Sequence, residues 1–347
     1  MRVLICGAGI AGAAAAWWLE RDGHEVTLLE RASGRREGGY MVDIREGGFD
    51  AVERMGLLPA LRRRAVTLRE LVYRAPDGGV LERFVDDSAD ADRTLSMLRQ
   101  DLELELHEAL GARTTVRFGT TVDAVEDGPE SVRVALNDGT TETVDLLIGA
   151  DGLHSRIRRL CFGPEESFLR DLGYQTAAYV IDDAELAAEL GDGLHMIEAP
   201  GGQVSASPRG DQVAATFTHR VPEGSPLPTD VAAELDRRYG RLGGIVPRLL
   251  AARPGPHGIY SDSVAQVEMP GWTTGRVGLI GDACHAMSLL TGQGSAMALA
   301  GAEALAQSLR ENDQVSEALA EYDRTRRPMT AQAQREGREF AEDFIPR

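Results

Sequence analysis

Gly7, Gly9 and Gly12 stand in the spacing G-x-G-x-x-G directly behind a short apolar run, residues 3–6. Glycine at the first position permits a tight turn. At the second it lets the backbone approach a pyrophosphate, and at the third it lets helix and strand pack closely. Ile10 and Ala11 lie inside the same loop and open the helix, whose free N–H groups and partial positive charge suit phosphate. Glu30, followed by Arg31, ends the next alternating run, where a carboxylate can accept hydrogen bonds from an adenosine ribose. Dinucleotide binding follows, and this stretch alone does not separate FAD from NAD.

Later segments separate them. Ile148-Gly149-Ala150-Asp151-Gly152 resembles the Asp-Gly motif of the class A flavoprotein monooxygenases, the p-hydroxybenzoate hydroxylase family. Gly281-Asp282-Ala283-Cys284-His285, continuing through Gly292-Gln293-Gly294, resembles that family's Gly-Asp motif. Leu98-Arg99-Gln100-Asp101-Leu102 looks like its flavin-contacting arginine helix, and residues 322–328 fit its tail. The resemblance spans the whole chain and is weakest in the middle. It implies FAD, held non-covalently, with Asp282 on a ribityl hydroxyl and Arg99 against the flavin. The N–H groups of 292–294 would face the flavin's pyrimidine edge, where a helix N-terminus stabilises the negative charge of the reduced ring. Asp151 reads as the organiser of its own turn, in a motif that the family links to FAD and NAD(P)H.

Residues 38–45 are similar to the tetracycline-inactivating members, which places Asp43 by the flavin. Arg35 and Arg36 become candidate contacts for NADPH or for a swinging isoalloxazine. No second glycine motif follows a strand, so NADPH or NADH would bind transiently. One departure stands out: Met287-Ser288-Leu289-Leu290 occupies a stretch where the family usually has a proline.

The resemblance implies a mechanism. NAD(P)H reduces the flavin, oxygen adds at C4a to give a hydroperoxide, and an electron-rich carbon of an aromatic or polycyclic small molecule takes the distal oxygen. Such a reaction fits antibiotic tailoring or inactivation. Met196, Phe217 and His219 are the candidate roof over the flavin, with Met287 and Leu290 below. His219 is the one candidate general base, able to deprotonate a phenol. Two other readings stay open: an FAD oxidase or dehydrogenase that inserts no oxygen, and a flavin-bound protein that sequesters a ligand. A flavin halogenase is excluded, because Trp17, Trp18 and Trp272 cannot form its Trp-x-Trp-x-Ile-Pro segment.

These residues need a frame to hold them. Strand, helix and strand open the chain as a βαβ unit. Leu95, Leu98, Leu102, Leu106 and Leu110 share one helix face, and 144–148 reads as a buried strand. Asp77-Gly78-Gly79 and Asn137-Asp138-Gly139 are turns. Between about 166 and 270 prolines and glycines become frequent, with short alternating segments at 175–181, 204–207 and 213–219. The expected fold is α/β: a Rossmann-like FAD-binding domain (1–70, 95–165 and 270–312) with an inserted, mostly antiparallel substrate sheet (71–94 and 166–269). A C-terminal helical segment, 313–347, would be interrupted near Pro328.

Composition agrees. The 347 residues include 37 Lys plus Arg against 55 Asp plus Glu, a net charge of −18, which disfavours nucleic acid or an anionic membrane as partner. Three scattered cysteines give neither a disulfide framework nor zinc spacing, so no metal and a cytoplasmic location are expected. No apolar run reaches the ~18 residues of a membrane span.

Overall fold

The computed structural model describes residues 1–35, 39–85 and 93–345. Val3, Leu4 and Ile5 are buried on both faces of their strand, Arg2–Cys6, as the centre of a parallel sheet demands. That strand pairs in parallel with Glu25–Glu30 on one side and Leu146–Gly149 on the other. Thr114–Phe118 and Val277–Leu279 extend the parallel sheet outward, and the short antiparallel Thr273–Thr274 completes six strands. The first helix, Ile10–Arg21, buries Ala13 to Ala16 completely. These small residues pack against the helix Gly294–Glu311, whose Ala298, Ala302 and Ala306 are also buried.

The second large sheet has seven strands, in the order Tyr260–Val267, Leu169–Asp182, Gln212–Arg220, Gly202–Arg209, Gly193–Ala199, Glu70–Arg74 and Val80–Val85. Its pairings are antiparallel except for the parallel contact of Gly193–Ala199 with Glu70–Arg74. Three short helices, Ala184–Leu190, Val231–Tyr239 and Val246–Ala251, cover its rear face and form a core of their own with it. The fold is thus a Rossmann-like α/β domain joined to a largely antiparallel sheet.

Three local expectations change. Leu95, Leu98 and Leu110 do not belong to the helix: Leu95–Leu98 is a strand paired with Met41–Ile44, and the helix runs over Arg99–Glu108 and stops before Leu110. All four strand residues are buried, which a one-sided helix face cannot offer. The buried strand expected over 144–148 is split. Val144 ends a hairpin in a separate three-stranded sheet, and Leu146 begins the parallel strand. Asp145 makes the joint by accepting the Arg2 N–H at 2.7 Å.

The last helix, Val315–Phe344, runs through Pro328 without a break. Proline removes one backbone donor, but both halves are seated by tertiary contacts. Tyr322 is fully buried before the proline, and after it the Gln334 amide donates to Val267 O (2.7 Å) and Ala286 O (3.0 Å). The helix end is fixed to the seven-stranded sheet by Tyr174, whose hydroxyl donates to Ala341 O, and by Arg220, whose Nε donates to Ile345 O at 2.8 Å. Among the described residues no helix is long and apolar enough to cross a membrane.

Candidate active site

A cavity of about 830 Å³ lies between the carboxyl ends of the parallel strands and the front of the seven-stranded sheet. Its floor begins at the phosphate loop, where Gly9, Ile10 and Ala11 face the open space. Gly7 has φ +107°, and a Cβ there would collide with the carbonyl of Ala150. A Cβ on Gly12 would collide with the carbonyl of Gly7. Neither position accepts a side chain, so the turn stays tight and the helix N-terminus stays bare. Glu30 closes the loop: its carboxylate accepts the N–H of Ala8 (3.2 Å) and of Ala32 (2.9 Å). Arg31 and Arg35 are exposed and stand off the cavity wall, and Arg36 lies outside the described residues.

Asp282 follows the buried strand Val277–Leu279 and projects into the cavity. It is surrounded by protein yet wetted by the cavity, and it has no hydrogen-bond partner among the described residues. Its deep position raises the carboxyl pKa, an effect the Arg99 guanidinium partly offsets. Gly281 turns the chain with φ +60°; a Cβ there would stand 2.7 Å from the Cβ of Ala11, so the turn packs directly against the start of the first helix. Arg99 lines the cavity and is ion-paired to Glu103 at 2.7 Å. Asp43 lines it too, bound by Arg45 and by the Ser96 hydroxyl (2.6 Å).

Gly292 and Gly294 also face the cavity, ahead of the 18-residue helix Gly294–Glu311. Gln293 occupies the cap position with no capping side chain, so the first N–H groups of that helix remain free. Its own side chain does not reach the wall. Ser288 holds φ +102°, an uncommon backbone state for a residue with a side chain, and turns Met287 and Leu290 onto the wall. Asp151 points elsewhere. It accepts the Ser155 hydroxyl (2.5 Å) and the N–H groups of Arg156 (2.6 Å) and Ile157 (3.1 Å), bracing the short helix that follows. Its neighbours Ala150 and Gly152 supply the wall.

The roof differs from expectation in two residues. Met196 faces the cavity, but Phe217 and His219 face the rear helices. Phe217 stacks on Tyr179 (5.5 Å) and meets Tyr239 edge-on (5.1 Å) in the rear core. His219 is buried beside Tyr239, and burial pushes its pKa down to about 4. Being turned from the cavity, it cannot reach a substrate there as a base. The intervening residues of the same strand, Thr216 and Thr218, face the cavity instead, alongside Gln203, Ser205 and Ser207 of the neighbouring strand. Tyr40, Tyr260 and Asp262, which sequence reasoning also missed, stand on the wall as well, the two tyrosine rings 4.8 Å apart. Among the described residues no cluster of His, Cys, Asp or Glu could hold a metal ion.

Residues 1–336 match the FAD binding domain family. The chain belongs to the class A FAD-dependent monooxygenases. This monooxygenase is similar to a flavin-dependent monooxygenase from an unknown prokaryotic organism, 29% identical over 99% of this chain and 90% of that protein. An uncharacterized Mycobacterium tuberculosis protein, Rv1260, is 34% identical over 89% of this chain and 84% of its own. Among solved structures, tetracycline destructase Tet(51) superposes with a TM-score of 0.86 at 30% identity, covering 100% of the monooxygenase and 91% of Tet(51). The site fits FAD on its own terms. Bare helix N-termini at the cavity would suit phosphates and the negative charge of a reduced ring, and the unpartnered Asp282 carboxylate would suit a hydroxylated chain.

Proposed function

We propose that this monooxygenase uses NADPH or NADH to insert one oxygen atom of O2 into an aromatic or polycyclic small molecule, the other leaving as water. One C–H bond and NAD(P)H are oxidised, and O2 takes up the four electrons. When bound, FAD supplies the chemistry that accepts hydride and activates oxygen. The observation that carries the reading is the one cavity of about 830 Å³ that the phosphate loop, Asp282 and the front of the seven-stranded sheet share.

In this reading Asp282 holds a hydroxyl of the ribityl chain and Glu30 the adenosine ribose. Arg99, held by Glu103, contacts the flavin, and Asp43 stands at its edge. Gly292 N and Gln293 N already donate to Leu289 O and Thr291 Oγ1, so the free N–H groups at the start of the helix, from Gly294 on, face the ring and stabilise its negative charge after reduction. Met287, Leu290 and Met196 exclude water from the reacting face. Arg35 and Arg36 form the transient NAD(P)H contact. No side chain acts as an obligatory acid or base. The tetracycline destructase likeness supports a polycyclic substrate. The free thiols Cys6, Cys161 and Cys284 support a cytoplasmic setting.

The test is anaerobic reduction of the FAD-loaded protein by NADPH and by NADH, followed by oxygen with candidate aromatics. Bleaching of the flavin, then a product heavier by one oxygen atom drawn from 18O2, is the expected result. Peroxide released in equal amount to NAD(P)H consumed, with no oxygenated product, would instead mean an oxidase.

A further inference from the structure

The cavity face of the seven-stranded sheet changes polarity from strand to strand. At its edge Phe84 stands opposite Leu71, and Leu71 stands beside Leu194. Two residues along, Met196 faces Ser205. Ser205 faces Thr216 on the next strand, and Gln203 faces Thr218. At the usual ~4.8 Å between strands, the face passes from hydrocarbon to neutral hydrogen-bonding groups over about 20 Å. All of these side chains line the cavity, while the residues alternating with them, such as Ile197, Val204 and Phe217, are buried in the rear core.

Of the polar side chains on these rungs, Thr218 alone has a partner among the described residues, the Thr176 hydroxyl at 3.3 Å. The side chains of Gln203, Ser205 and Thr216 make no hydrogen bond with any described residue. A ligand covering them must supply donors and acceptors, or it strands polar groups that water had satisfied. None of the rungs carries a formal charge. Arg45 and Arg99 on the opposite wall are already paired with Asp43 and Glu103, and Arg69 is exposed beside the apolar edge.

We infer that the substrate is an uncharged, flat ring system bearing both a donor and an acceptor, with an apolar arm attached. The ring seats on the Ser205–Thr216 rung, and the arm runs over Leu194 and Leu71 toward Phe84. This rests on the proposed function only in taking the cavity as the substrate chamber.

Three probes that share one ring test it: 4-quinolone, 2-heptyl-4-quinolone, and 4-quinolone-2-carboxylate. Each is titrated calorimetrically into the FAD-loaded protein without NAD(P)H. The heptyl compound is expected to bind at least about tenfold more tightly than the parent, because its methylenes leave water, and the carboxylate more weakly than the parent. Leu71→Ser with Leu194→Ser removes the difference between heptyl compound and parent. Ser205→Ala with Thr216→Val weakens both equally. Flavin content of each variant checks that it folds.

Equal affinity for heptyl compound and parent, tighter binding of the carboxylate, or no saturable binding of any probe overturns the inference. A protein that binds in the expected order but never consumes NAD(P)H sinks the monooxygenase reading and leaves this one intact. Oxygenation of a charged, tail-less aromatic does the reverse.

Discussion

The Glu30 carboxylate accepts the backbone N–H of Ala8 across 3.2 Å, so the end of the second strand braces the phosphate loop directly. Its other oxygen takes Ala32 N at 2.9 Å, which leaves lone pairs free on both for a ribose. Glu30→Gln turns one acceptor into an NH2 group facing a donor. Charge-assisted bonds of this kind contribute about 1.5–3 kcal/mol. FAD affinity is therefore expected to fall by about tenfold or more, read by fluorescence quenching as FAD is titrated into apoprotein. An unchanged dissociation constant would remove Glu30 from the site.

Glycine is needed at position 12 for space and not for backbone freedom. A methyl on Gly12 would overlap the carbonyl of Gly7, whereas one on Gly34 would meet nothing within 4 Å. Gly12→Ala should force strand and helix apart, costing about 2–4 kcal/mol and abolishing FAD retention. Gly34→Ala serves as the control and should leave both unchanged. Denaturant unfolding and the visible spectrum of the purified proteins decide the matter. A yellow Gly12→Ala protein of normal stability would refute the packing argument.

Two buried histidines make stability depend on acid. His285 accepts the Gly281 N–H at 3.1 Å and packs against Trp272 at 5.2 Å. Burial, with Arg326 adding, lowers its pKa to about 4, and burial with Arg238 does the same for His219. Folded, both stay neutral until about pH 4, whereas the unfolded chain takes up their protons near 6.5. Their contribution is complete above 6.5 and is lost as pH falls toward 4, by about 1.4 kcal/mol per pH unit for each ring. His219→Phe keeps a planar ring without a titratable nitrogen, and Tyr239 still has Thr218 O as its acceptor at 2.9 Å. Urea unfolding from pH 7 to 4 should show a shallower slope in that variant; an identical slope would contradict the assignment. His154 works in the opposite sense. Bonds to Asp262, then Glu165, raise its pKa, so what it contributes is present below about 6.5 and fades as pH rises through the folded value.

The sequence is most legible where the chemistry is local. Gly7 and Gly12 announce a strand-to-helix turn because the steric demand lies within a few residues, and Asp282 is legible from the same kind of motif. The roof is not legible in this way. Alternation over 213–219 reveals two faces of a strand, but not which one meets the cavity. An aromatic ring and a histidine look like pocket residues, so Phe217 and His219 draw attention. What decides is remote: Val231–Tyr239 and Val246–Ala251, short helices that sequence reasoning missed, bring Tyr239, Val246 and Leu249 against the Phe217 face. The apolar face is taken by the core, and the hydroxyl face is left for the ligand. Pro328 shows the same limit, since seating of Tyr322 and Gln334 outweighs one lost hydrogen bond.

Asp282 should trade stability for binding. Without flavin its carboxylate faces the open cavity with no hydrogen-bond partner among the described residues, and the protein packed around it raises its pKa above the ordinary 3.8. A raised carboxyl pKa means that the unfolded chain ionises first, so the apoprotein loses stability as pH rises from the unfolded value through the folded one. At neutral pH the ionised group therefore destabilises the apo fold, weakly because cavity water screens it, and Asp282→Asn should raise the apo melting temperature slightly. The same change removes the charged acceptor for a ribityl hydroxyl, and FAD affinity should drop by about tenfold to a hundredfold. Thermal unfolding of apo and FAD-saturated protein at pH 7 reads both effects together. The variant's apo curve moves up, and the further shift produced by FAD shrinks. A fall in the apo melting temperature would show that the carboxylate supports the fold, and its place as a binding group set against stability would be lost.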